Sequence, residues 1–233
     1  MPPGSNGTAV TTQSQPVTYS AYVVTDVSLG GHAFHNAQVT FTFKGDAKDI
    51  RTFCMDDPLG SNDNGVSSYF GQGQFIDVGQ ASVKIETPTQ TVSANFTGKK
   101  PSSQQNSEVF VSFDKHNSGI GFSSYTGPAG LEPAYPLAFV NGIIGSSVGT
   151  VYPNAAALNT TFNASGYAWS CVGYPPLSLL NASQKCNDPV PLATDHGPLI
   201  VFQPYNNINT DGTLCCNFGG TLNRGTFSAV AGQ

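Results

Sequence analysis

Residues 17–44 read VTYSAYVVTDVSLGGHAFHNAQVTFTFK, and this stretch decides the fold. Val17, Tyr19, Ala21, Val23 and Val27 fall on one face of an extended strand, and Thr18, Ser20, Asp26 and Ser28 fall on the other. A period of two is the signature of a strand with one side buried. Gly30-Gly31 follows. Two adjacent glycines accept the positive φ of a tight hairpin turn. The return strand, Phe34 to Lys44, sets Val39, Phe41 and Phe43 against Thr40, Thr42 and Lys44. The stretch is therefore a long β-hairpin with an aromatic, β-branched inner face.

Working outward, the same alternation recurs in shorter pieces. Strands are expected at Ile50–Met55, Gln74–Val78 and Ala81–Thr87. Pro88-Thr89 turns the chain, and Thr91–Thr97 returns with Val92, Ala94 and Phe96 on one side. Glu108–Asp114 and Ile120–Tyr125 form a further pair around Asn117-Ser118-Gly119. Beyond Thr126 the prolines at 128, 133, 136, 153, 175, 176, 189, 191, 198 and 204 interrupt the pattern. Apolar runs remain at Leu137–Ile144, Tyr167–Val172 and Leu199–Phe202, and the last strand is Gly225–Val230, expected to close the sheet beside the first. Only Ala155–Leu158 and Leu177–Ser183 could be helical, each two turns or fewer. Many short strands between turn signals predict an all-β fold, an antiparallel β-sandwich of Greek-key or jelly-roll type with long Pro/Gly-rich loops in its second half. Residues 1–16 lack periodicity and read as a flexible polar tail. Residues 17–233 read as one domain, with any subdivision near 126–135.

Composition sets the surface chemistry. Of 233 residues only 10% are charged, with 9 Lys+Arg against 14 Asp+Glu and a net charge of −5. Ordinary soluble domains carry about 25% charged residues. Ser, Thr and Asn fill the gap. Scattered basic residues leave no electrostatic footprint for nucleic acid. No apolar run approaches the roughly 20 residues of a membrane helix. Met1–Gly7 has neither the basic start nor the apolar stretch of a signal peptide. The neutral polar composition points to an exported or cell-surface protein whose leader is no longer attached.

The five cysteines are Cys54, Cys171, Cys186, Cys215 and Cys216, and none forms a C-x-x-C. That spacing argues against a zinc ribbon or thioredoxin-like site. A Cys171–Cys186 bridge would close a loop of about 15 residues and contribute roughly 3 kcal/mol. Cys54 would then pair with Cys215 or Cys216. Five buried thiols are the plain alternative.

Candidate chemistry is sparse. Gly145-Ser146-Ser147-Val148-Gly149 fits G-x-S-x-G, yet Thr150-Val151-Tyr152-Pro153 follows where a hydrolase needs a helix. His116 and Asp195-His196 could complete a triad only if the fold gathered them. His32 and His35, three apart, face opposite sides of a strand and could share a metal only across a bulge. No cofactor is called for. The loop bearing Asp56, Asp57 and Asp63 offers the oxygen ligands Ca2+ prefers, but it lacks EF-hand spacing. The three glutamates, Glu86, Glu108 and Glu132, are the only material for a glycosidase-type pair with glutamate as both acids. Sequons stand at Asn6, Asn95, Asn159, Asn163 and Asn181, little more than such a composition yields by chance.

The aromatic residues of the second half carry the functional expectation. Tyr167, Trp169, Tyr174 and Tyr205, with Asn207, combine flat apolar rings with neutral hydrogen-bonding groups. Such a set suits stacking on sugar rings or anchoring a protein partner. The first expectation is a non-catalytic module that binds a glycan or an extracellular surface protein. The second is a structural protein that assembles into homo-oligomers through edge strands. The third is a polysaccharide-active hydrolase.

Overall fold

The computed structural model describes residues 8–55, 71–99, 105–114, 119–124, 141–147, 158–169, 191–201 and 223–232. They form thirteen strands: β1 (Thr8–Ala9), β2 (Pro16–Leu29), β3 (His32–Asp46), β4 (Arg51–Met55), β5 (Gly71–Ile76), β6 (Gly79–Glu86), β7 (Thr91–Asn95), β8 (Val109–Asp114), β9 (Gly119–Ser124), β10 (Asn141–Ser147), β11 (Phe162–Trp169), β12 (Leu199–Val201) and β13 (Asn223–Ala231). Every ladder between them is antiparallel. The protein is all-β, as its alternation predicts. Among the described residues no helix is long and apolar enough to cross a membrane.

The hydrogen-bonded order is β1-β4-β5-β8-β9-β10-β11-β13-β2-β3-β6-β7, with β12 also pairing β2. The last strand does lie beside the first long one: Phe227 pairs with Ala21 and Ala231 with Val17. Laid flat, β9 and β3 would stand five strand spacings apart, about 24 Å. Yet the Phe122 and Phe41 rings are 5.7 Å apart, and Phe122 and Phe227 are 6.1 Å apart. The strand path therefore curves over on itself and closes its apolar faces around one core. That core takes Val17, Tyr19, Phe41 and Phe43 from the first hairpin, Val109, Val111 and Phe122 from β8 and β9, and Leu158, Leu192, Leu199 and Phe227 from the second half. Each fully buried large side chain contributes roughly 1.5–3 kcal/mol. The buried Tyr19 hydroxyl donates to Leu158 O at 2.7 Å, and burial pushes its phenol pKa up.

The β2–β3 hairpin is more structured than simple alternation implies. Gly30 and Gly31 take φ of +57° and +85°, as a tight hairpin turn demands. Pairing runs in one register from Pro16↔Asp46 to Thr25↔Ala37, then shifts to Val27↔Phe34. One residue of β2, Asp26, thus faces two of β3, His35 and Asn36. This is a β-bulge, and Asn36 sits in the left-handed region at φ +49°. The bulge has a purpose visible in the burial: Phe34 is buried at an even position, whereas Ala37, Val39, Phe41 and Phe43 are buried at odd ones. The extra residue returns the apolar set to the core face.

Residues 8–16, expected as part of a free tail, are tied to the body. β1 pairs with β4, and Val10 N donates to Ile50 O at 3.0 Å. Ala47 N donates to Gln15 O at 2.8 Å. The Asp46 carboxylate accepts from the Ser14 hydroxyl and the Gln15 and Lys48 amides, and it caps a short 3-10 turn at Ala47–Asp49. These bonds use backbone groups, one hydroxyl and one carboxylate, so they leave no apolar periodicity to read.

Candidate functional site

The aromatic set is placed in part. Tyr167 and Trp169 lie on β11, with Tyr167 opposite Arg224 of β13 and Trp169 opposite Gly145 of β10. β11 is flanked on both sides, and the flanking positions are small or polar: Gly145 and Ser146 on β10, Asn223, Arg224 and Gly225 on β13. Tyr174, Tyr205 and Asn207 lie outside the described residues, as do Cys171, Cys186, Cys215 and Cys216. Cys54 stands on β4 opposite Gln72. The loop with Asp56, Asp57 and Asp63 also lies outside them. Among the described residues no group of three or more His, Cys, Asp or Glu could hold a metal ion.

The other motifs resolve into local settings. Ser147 of the G-x-S-x-G match is a strand residue of β10, opposite Gly119, so the chain is extended at the serine. His116 lies outside the described residues. His32 and His35 do have a bulge near them, but His35 is turned to Asp26, with Nδ1 3.2 Å from Oδ2. Glu86 forms an ion pair with Lys84 at 2.9 Å near the surface. Glu108 is buried, and a Cβ on Gly98 would fall 1.5 Å from its Oε2, so only glycine leaves room for that carboxylate. The two glutamates therefore sit in unlike surroundings; Glu132 lies outside the described residues.

Two carboxylates that the sequence does not single out as structural prove to be junctions. Asp26 Oδ1 accepts from Asn36 N at 2.8 Å and so closes the bulge. The Asn36 amide and then the His35 ring hold its carboxyl below the usual range. Asp195 accepts from Asn95 N at 2.8 Å and from Asn95 Nδ2 at 2.8 Å, while His196 Nδ1 lies 2.8 Å from Oδ1. The His196 ring and the two Asn95 groups lower its pKa to about 2. Asp195 N donates back to Asn95 O at 3.0 Å, and Thr97 N donates to Ala193 O at 3.0 Å. The 193–195 segment thus runs beside the end of β7. It then turns at Thr194–Gly197 and docks on the first hairpin, where Gly30 N donates to Pro198 O at 3.0 Å. For Asp26, the readable signal is the parity break between Phe34 and Ala37. For Asp195 no local signal exists, because its partner is 100 residues away.

The two histidine–aspartate contacts are exposed and lie at a bulge and a turn. Comparison of the chain with family models, curated proteins and solved structures finds no match.

Proposed function

We propose that the protein is an exported, non-catalytic binding module that recognises a neutral glycan at or beyond the cell surface through Trp169 and Tyr167. The observation that carries this reading is the register of β11. It sets Tyr167 opposite Arg224 of β13 and Trp169, two positions on, opposite Gly145 of β10. An aromatic ring can stack on the apolar face of a sugar while neutral side chains bond its hydroxyls. The chain is only 10% charged, which suits an uncharged ligand better than an ionic one. Export is supported by the same composition, and disulfides among the five cysteines would follow from it.

The test is retention on insoluble and immobilised neutral polysaccharides. The intact protein should be retained, and Trp169→Ala should weaken retention at least about ten-fold, the equivalent of roughly 1.4 kcal/mol. Equal retention of Trp169→Ala removes the site assignment. Failure of the intact protein on every polysaccharide removes the glycan reading.

A further inference from the structure

β7 ends the hydrogen-bonded path, and β6 uses only one of its sides. Backbone groups in a strand point alternately to its two sides. Phe96 N donates inward to Ala81 O, whereas Asn95 and Thr97 bond outward to the 193–195 segment. The same alternation sends the N–H and C=O of Thr91 and Ser93 outward. Among the described residues none hydrogen-bonds those outward groups. Thr91 and Ser93 are exposed, and Val92 is half-buried against the core.

Edges that must stay single are commonly guarded by lysine, proline or a bulge. Thr91-Val92-Ser93 has none of these. Beside it on β6, Lys84 opposes Ser93 and Glu86 opposes Thr91, and the two charges pair with each other. A like copy therefore meets no net charge at this edge.

We propose that β7 pairs with β7 of a second copy of this chain, antiparallel, about a two-fold axis through Val92. The register is forced from both ends. Asp195 occupies the outer side at Asn95, and the Thr87–Gln90 turn, closed by Thr87 N to Gln90 O at 2.8 Å, takes the chain away before Thr91. What remains is a polar–apolar–polar triplet that is its own complement. Thr91 of each copy exchanges both backbone bonds with Ser93 of the other, and the two Val92 side chains cover each other on the core side. The contact is short, so it forms at high local concentration, as on a crowded surface. There it doubles the number of ligand sites per particle and raises avidity. It is independent of which ligand the protein binds.

Sedimentation velocity from about 10 μM to about 1 mM spans the expected dissociation range. Mass should rise towards the dimer, and amide exchange at Thr91 and Ser93 should slow with concentration. Ser93→Pro removes an outward N–H without touching the β6 ladder, and it should weaken association at least about ten-fold. Ser93→Lys, which keeps the backbone and adds a charge at the axis, should do the same and decides the matter if the proline variant does not fold. A monomer throughout the range overturns the proposal. So does a dimer that both folded variants, or the lysine variant alone, leave unchanged.

Discussion

Asp26 and Asp195 have matching partners and different effects. Each accepts a backbone N–H at 2.8 Å and touches the Nδ1 of a histidine. Asp26 reaches ten residues along the chain, inside a hairpin that Gly30-Gly31 already closes. It fixes where one strand gains a residue and so which side chains of β3 face the core. Asp195 reaches across 100 residues and decides what covers the end of β7. A local lock corrects register; a distant lock determines topology. The distant contact also closes a larger loop, and that entropic cost must be met by everything that docks with it. The two regions touch at the hairpin tip, where a Cβ on Gly30 would lie 2.4 Å from His196 O.

Three substitutions separate the two locks, in descending order of effect. Gly30→Ala strikes both regions at once, because φ is +57° and the new methyl meets a backbone oxygen. It should cost about 2 kcal/mol or more. That corresponds to a fall of roughly 4–8 °C in Tm. A neutral result would mean that the 194–197 turn does not dock on the hairpin. Asp195→Ala comes next. It should lower Tm and speed amide exchange at Asn95, with Thr97 affected through the loosened 193–195 segment. Its pH dependence follows from the lowered pKa. The stabilisation that Asp195 adds is fully present above its unfolded pKa, near 3.9. It fades as pH falls towards about 2, so chemical denaturation of the parent and variant should differ at pH 6 and converge near pH 2. Asp26→Ala is the smallest change. Exchange should quicken at Asn36, with a Tm loss below that of Asp195→Ala, because Gly30-Gly31 already closes the hairpin that Asp26 serves. An Asp26→Ala variant less stable than Asp195→Ala would reverse the ranking of local and distant locks.

The same distinction separates what could be read in the sequence from what could not. The hairpins β2–β3, β6–β7 and β8–β9 were legible because their partners are neighbours and one face is buried, so alternation reports both strands. Boundaries shift both ways: β3 extends to His32 and Asp46, beyond the expected Phe34–Lys44, whereas β7 stops at Asn95, short of the expected Thr97. The bulge is encoded in the parity of Phe34 against Val39, a break that a uniform alternation does not show. The docking of residues 8–16 and the tie from Asp195 to Asn95 rest on backbone amides and single carboxylates. Neither has a periodic signature. For the candidate site, the chemistry of Trp169 and Tyr167 is legible in the sequence, and the strand register adds the residues opposite them, Gly145 and Arg224. Tyr174, Tyr205, Asn207 and four of the cysteines fall outside the described residues.

In the reading proposed above, Trp169 meets a neutral glycan. It is the sole tryptophan, so intrinsic fluorescence reports on that residue alone. Titrating the intact protein with soluble oligosaccharides from a polysaccharide that retains it should give a saturable shift or quench, and equal concentrations of a non-retained sugar should leave emission unchanged. Flat emission at saturating oligosaccharide, with binding still detected by calorimetry, would place recognition away from β11 and overturn the role of Trp169.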